Sequence, residues 1–358
     1  MHSRVKARLL AGVAAVALAT LVHAKDATAD GLPDEYRFGA AKPGQWSVTL
    51  QGGYNFGGAR TNDLTFAEAF TGTSASSATP FGASLKRGWN GRLGAAYQFT
   101  DRWSGKFLYT GLRAHGRGAT PRSLSHTTNT NGTTNTFGNV NTVLGARTAN
   151  GGLVTGTGAV VKTRLRADLF DFQAGYDVGL GPQMGATLLG GLRIARFDQH
   201  TDVSIFGEEG ETDTSLATRN SRFFGVGPTL GAKVAMALGS TGPTSGFGIE
   251  GGVLGGLLYG TQTTTIRHQF GDGTPDERLL DQQVDKRHLA ESVEADAALT
   301  YAFGLGASTV QVAAGYEFMW FAGVRDTRNG ASITNSTFGS HHDDLFFHGP
   351  FLRLTGNF

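Results

Sequence analysis

The 358-residue chain has no cysteine, only 9 prolines and a charged fraction of 17%. Without cysteine there is no thiolate metal site, no disulfide framework and no cysteine nucleophile, which fits an exported protein that avoids accidental oxidation. A net charge of +2 gives no basic excess of the kind nucleic-acid binding needs. Beyond the N-terminus no apolar run approaches the roughly 20 residues of a spanning helix, so a membrane form of this chain must cross as strands. What the sequence does have is glycine, 54 of them, together with many Thr, Ser and Asn, a composition of strands and loops. The length allows two domains or one large barrel.

Residues 1–24 read as a secretory signal peptide. Arg4, Lys6 and Arg8 form the basic start, Leu9 to Val22 the apolar run, and Val22-His23-Ala24 the small-residue cleavage site. Residues 25–45 are polar, hold Pro33 and Pro43, and read as a flexible periplasmic lead-in.

From Trp46 onward the chain alternates. In WSVTLQGGYNF (46–56), Trp46, Val48, Leu50, Gly52, Tyr54 and Phe56 share one face. A period of two over eleven residues is enough for a tilted strand to cross a bilayer. The pattern returns in ten segments, near 46–56, 88–99, 103–113, 163–178, 184–197, 221–238, 246–260, 288–303, 307–324 and 345–358. The connections alternate strictly between long (57–87, 114–162, 198–220, 261–287, 325–343) and short. Short connections such as Thr100-Asp101-Arg102 and Gly304-Leu305-Gly306 require antiparallel hairpins. The expected fold is all-β, an antiparallel up-and-down transmembrane barrel over 46–358 with long external loops. Its strand number is about ten, with eight or twelve following if segments are merged or split. The C-terminal segment ends on Phe358 and is expected to pair with the first, leaving no edge in lipid. Trp46 and Trp103 fall at short-turn ends and Trp89 and Trp320 near long-loop ends, which with Tyr97, Tyr301 and Phe358 gives two aromatic girdles.

With the apolar face outward, the opposite face holds Arg92, Lys106, Arg193, Lys233 and Arg353 against Asp171, Glu250, Glu294, Asp296 and Glu317. Most other positions of that face carry Gly, Ser, Thr, Ala or Gln. A basic residue on the lipid face at mid-membrane costs roughly 2–4 kcal/mol, so these charges belong inside. Two readings stay open: a structural ion network that holds the barrel shut, or the lining of a narrow aqueous path. His348 is the one uncomfortable residue on the expected lipid face and marks a place where the register of the last strand could slip.

Other candidate chemistry is thin. His341-His342-Asp343-Asp344 could hold a metal or work as an acid/base site, but no second carboxylate pair falls in register, and a solvated loop end is the reading taken. The stretch 271–277 (GDGTPDE) lacks the alternating ligands of a calcium loop. LGGLR at 189–193 lies inside a strand and not before a helix, so it is no phosphate loop.

Several blocks together resemble the Legionella-type major outer membrane protein family. They are DLFDFQAGYD (168–177), LLGGLRIARF (188–197), RFFGVGPTLGAKV (222–234), GFGIEGGVLGGLLYG (246–260), VAAGYEFMWF (312–321) and DLFFHGPFLRLTGNF (344–358). The resemblance covers most of the chain from residue 165 and implies a pore-forming role in the outer membrane, with no catalytic residue and no cofactor or metal. The expected function is passive diffusion of small solutes or ions through a polar lumen. The alternative is a non-conducting surface protein whose loops 57–87, 114–162 and 261–287 bind a partner. Expected contacts are outer-membrane lipid and lipopolysaccharide, the barrel-assembly machinery through Phe358, and small solutes; the oligomeric state is left open.

Overall fold

The structure is a computed structural model of the chain. It describes residues 41–59, 67–70, 78–81, 85–119, 126–130, 133–137, 139–142, 158–181, 184–206, 214–242, 245–271, 278–305, 308–328 and 340–358. The segment read as a signal peptide, and residues 25–40 after it, lie outside these. Among the described residues fifteen strands occur in order: β1 (Trp46–Ala59), β2 (Ala67–Phe70), β3 (Ala78–Phe81), β4 (Arg87–Gln98), β5 (Trp103–Ala119), β6 (His126–Thr130), β7 (Thr133–Phe137), β8 (Asn139–Thr142), β9 (Gly158–Gly181), β10 (Met184–Phe206), β11 (Thr214–Gly242), β12 (Ser245–Gly271), β13 (Arg278–Leu305), β14 (Ser308–Arg328) and β15 (Ser340–Asn357).

Ten of them close into one barrel in the order β1-β15-β14-β13-β12-β11-β10-β9-β5-β4. Each neighbouring pair is antiparallel, as ten alternating segments with hairpin turns require. The short strands stand apart, as a β3-β2-β8 sheet and a β6-β7 hairpin within the long connections. Closure is made by the two chain ends. Ser47 faces Asn357 and Gln51 faces Arg353, and the amides and carbonyls of Trp46 and Phe358 exchange hydrogen bonds of 2.9 and 3.0 Å. No barrel edge is left unpaired, which a lipid environment demands.

The outward face is the alternating apolar set. Leu50, Leu230 and Leu352 are 60%, 59% and 66% exposed, a placement that a soluble protein would not repeat on every strand. At the short-turn end Trp46 stacks near Tyr97, Trp103 near Tyr176, and Phe247 near Tyr301, with ring centroids 5.0, 4.9 and 4.8 Å apart. His348 points outward without any slip in register. Its Nδ1 meets the Tyr316 hydroxyl, and its ring lies 5.8 Å from that of Phe56 and 6.2 Å from that of Phe346. The hydrogen bond is what makes an imidazole tolerable there.

The strands run further than the apolar pattern. β11 has 29 residues and β13 has 28, where about 9–11 cross a bilayer. Residues 198–206, 214–220 and 261–271 have a loop-like polar composition yet continue the ladder. Water solvates both faces of a strand outside the membrane, so alternation stops while backbone pairing does not.

One close approach fixes a glycine. A Cβ on Gly227 would lie 1.7 Å from the Leu257 carbonyl oxygen on the paired strand. Gly227→Ala is expected to force β11 and β12 apart and to cost about 1–3 kcal/mol, read as a lower temperature for the loss of the compact gel-mobility form. Gly52→Ala, where a Cβ meets nothing within 4 Å, is the matched control.

Candidate functional site: the barrel lumen

Because side chains alternate, every second residue of the ten strands points into the barrel, and the register stacks these residues in layers. All ten charged residues selected from the sequence point inward. They form two connected groups, with Lys106 apart from both.

The deeper group centres on Arg193, which is fully buried. Its Nε and Nη2 donate to the two Asp171 oxygens at 2.6 and 3.0 Å, and its Nη1 lies 2.6 Å from Glu294 Oε1. Asp171 stands beside Arg193 on the paired strand, whereas Glu294 reaches across from β13. Arg92 continues the chain, 2.9 Å from Glu294 and 3.3 Å from Glu317. Glu317 accepts from Gln51 at 3.0 Å and from Asn90. Ser292 completes the set by accepting from Arg193 at 3.2 Å. This layer spans the lumen from β9 through β13 and β14 to β4 and β1. Gln51, Asn90 and Ser292 also hold this layer from inward alternate positions, but carry no charge that would mark them in the sequence.

The second group lies nearer the short turns. Glu250 takes Lys233 at 2.7 Å and Arg353, and Arg353 also lies 3.5 Å from Asp296. The Arg353 guanidinium rests 5.0 Å over the Phe351 ring. Lys106 shares this space but has no acidic partner among the described residues. A cavity of about 340 Å³ occupies this end of the lumen, lined by Lys106, Lys233, Arg353, Glu250 and Asp296 with Gln98, Thr355 and Asn357. By the usual orientation of such barrels this vestibule faces the periplasm.

On the other side of the ionic layer the lumen is apolar, against the expectation of a polar interior throughout. Leu112, Leu165, Leu169, Phe197, Phe223, Leu258, Met319, Phe321, Leu345 and Phe347 are buried together inside the barrel. Phe197 and Phe321 meet edge to face with centroids 4.9 Å apart, and Phe223 lies 6.3 Å from Phe197. Beyond them the interior turns polar again: the Thr163 and Thr201 hydroxyls are 3.1 Å apart, and Gln262 donates to Ser221 at 2.6 Å. The lumen is thus a vestibule, an ionic layer, an apolar layer and a polar outer layer. The signal for the apolar layer is in the sequence as aromatic doublets and neighbours. Phe223-Phe224, Trp320-Phe321 and Phe346-Phe347 each place one ring outside the wall and one within.

Trp46, Trp89, Trp103 and Phe358 are more than half exposed on the outer wall, and Tyr97, Tyr301 and Trp320 are half-buried there. Of the His/Asp cluster, the side chains of His341, His342 and Asp343 lie outside the described residues, as do residues 272–277.

The family described as the Legionella pneumophila major outer membrane protein precursor matches residues 11–357. The chain belongs to this family. No curated protein matches it in sequence. Among solved structures it is similar to the outer membrane protease OmpT of Escherichia coli, at 9% identity and a TM-score of 0.39, covering 88% of this chain and 96% of that one. It is also similar to the translocator domain of the autotransporter NalP of Neisseria meningitidis, at 11% identity and a TM-score of 0.34, covering 88% of each. The outer membrane protein OprG of Pseudomonas aeruginosa follows at 7% identity and a TM-score of 0.24, covering 89% of this chain and 97% of that one. As a member of the Legionella outer membrane protein family, the chain is an outer-membrane β-barrel protein.

Proposed function

We propose that this family member is a porin-like channel for small solutes or ions, closed in the conformation described and admitting solute when the apolar layer wets. The observation that carries the reading is the polar vestibule. It leads from the short-turn end to a charged layer, and a thin apolar layer separates that from a second polar zone. Apolar constrictions gate by dewetting, so such a barrier is crossed when a fluctuation lets water through. The charged layer stabilises ions or polar solutes that have lost bulk water. No catalytic role is assigned, and export with removal of residues 1–24 is part of the proposal.

Purified protein in planar bilayers is expected to give discrete, infrequent conductance steps. Silence under all voltages and salts would overturn the reading. Lys106 gives a second check. A cation without a paired carboxylate at the vestibule should favour anions, and Lys106→Glu is expected to shift the reversal potential in a salt gradient toward cations.

The apolar layer also supports a second reading, a permanently plugged barrel that presents external segments to a partner. Deleting residues 120–157, which spares β5 and β9, separates the two. A channel keeps or gains conductance, whereas a surface-binding protein loses its partner and never conducts.

A further inference from the structure

The outer wall carries a charged patch that the lumen does not explain. The apolar band ends on four adjacent strands, at Tyr109 on β5, Phe170 on β9 and Ile194 on β10, which stand in register, and one outward position further at Phe224 on β11, opposite Arg196. Within the next two outward positions, roughly 7–14 Å along each strand, stand Arg113, Arg166, Arg196 and Arg222. All point away from the barrel, and Arg166, Arg196 and Arg222 are exposed. They line an open groove of about 910 Å³ together with Arg164 and Trp89.

Each aspartate of the patch sits between two arginines. Asp168 accepts from Arg166 at 2.7 Å and from Arg113 at 3.3 Å, and is further held by the Tyr109 hydroxyl at 2.8 Å. Asp198 accepts from Arg196 at 2.7 Å and from Arg222 at 2.6 Å. Two carboxylates orient four guanidinium groups and neutralise only half their charge. Arg164, one outward position further from the membrane, has no acidic partner among the described residues. Among the residues whose side chains are described, β15 and β1 point no lysine or arginine outward.

We propose that this patch binds the phosphate groups of a phosphorylated glycolipid of the outer leaflet, lipopolysaccharide being the outer-membrane lipid of that chemistry. The depth fits: acyl chains pack against the aromatic and aliphatic residues below, and the headgroup meets the first charged rows above. The chemistry fits too, since arginine presents a planar fork that pairs bidentately with phosphate and is preset here by the aspartates.

The test is native mass spectrometry of the intact, folded barrel titrated with a bisphosphorylated lipid A, its dephosphorylated form and inorganic phosphate. Wild-type protein is expected to retain one bisphosphorylated lipid, and Arg166→Gln/Arg222→Gln to bind it at least about tenfold more weakly. The dephosphorylated lipid should bind wild-type protein at least about tenfold more weakly than the bisphosphorylated one. This arm needs no mutant and stands even if the variant folds poorly. Equal retention of the two lipids by wild-type protein, or equal binding by a folded variant, overturns the proposal. Displacement of the lipid by inorganic phosphate at matching concentration would show a free-anion site and overturn it as well.

Discussion

Replacing Phe197 and Phe321 together with alanine is expected to raise solute flux through reconstituted protein by on the order of tenfold or more, measured by liposome swelling. The two rings meet at the middle of the apolar layer. Removing them opens space that borders polar groups on both sides, the Arg92–Glu294–Glu317 layer below and the Gln262–Ser221 pair above. Water that could not persist in an apolar gap then has partners within reach. The substitutions also remove packing, at about 3–5 kcal/mol for each buried ring in a soluble core, so the folded fraction must be checked by heat-dependent gel mobility. Phe170→Ala/Phe172→Ala is the control: it deletes the same two rings from the lipid face of β9 and should leave flux unchanged. No gain from the inner pair, with the barrel folded, would place the barrier elsewhere.

The second large effect is on stability. Arg193→Met keeps much of the side-chain volume but leaves Asp171 without its ion-pair partner and Glu294 with Arg92 alone. Breaking a buried ion pair from one side costs about 3–5 kcal/mol, whereas replacing the whole set with neutral groups is close to neutral. Urea unfolding in detergent is therefore expected to show a large loss for Arg193→Met. Most of it should return in the triple variant Arg193→Met/Asp171→Asn/Glu294→Gln. If the single variant is as stable as the triple, the layer contributes little to holding the barrel together, and its charges would matter for permeation alone.

Much of the architecture was legible in the chain. Period-two alternation, strictly alternating long and short connections and a strand at each end lead to a closed ten-stranded barrel, and the closure of β1 on β15 follows. His348 shows what a single doubtful residue is worth: it looked like a register error, yet the slip would have turned Arg353 into lipid, and a hydrogen bond with Tyr316 costs far less. The ten inward charges were legible for the same reason. Which carboxylate meets which cation was not, because Arg193 pairs with its strand neighbour Asp171 and also with Glu294 from three strands away.

The sequence by itself determined which residues face lipid and which face the lumen, because the bilayer rejects charge and side chains alternate with a period of two. It also determined that no edge would remain. Only the tertiary structure decided height. Strand stagger sets the level at which a residue on one strand meets residues on the others, and no local pattern encodes it. That stagger brought Phe197, Phe223, Phe321 and Phe347 to one level as an apolar layer above the charges, and gathered Arg113, Arg166, Arg196 and Arg222 into one patch on the outer wall.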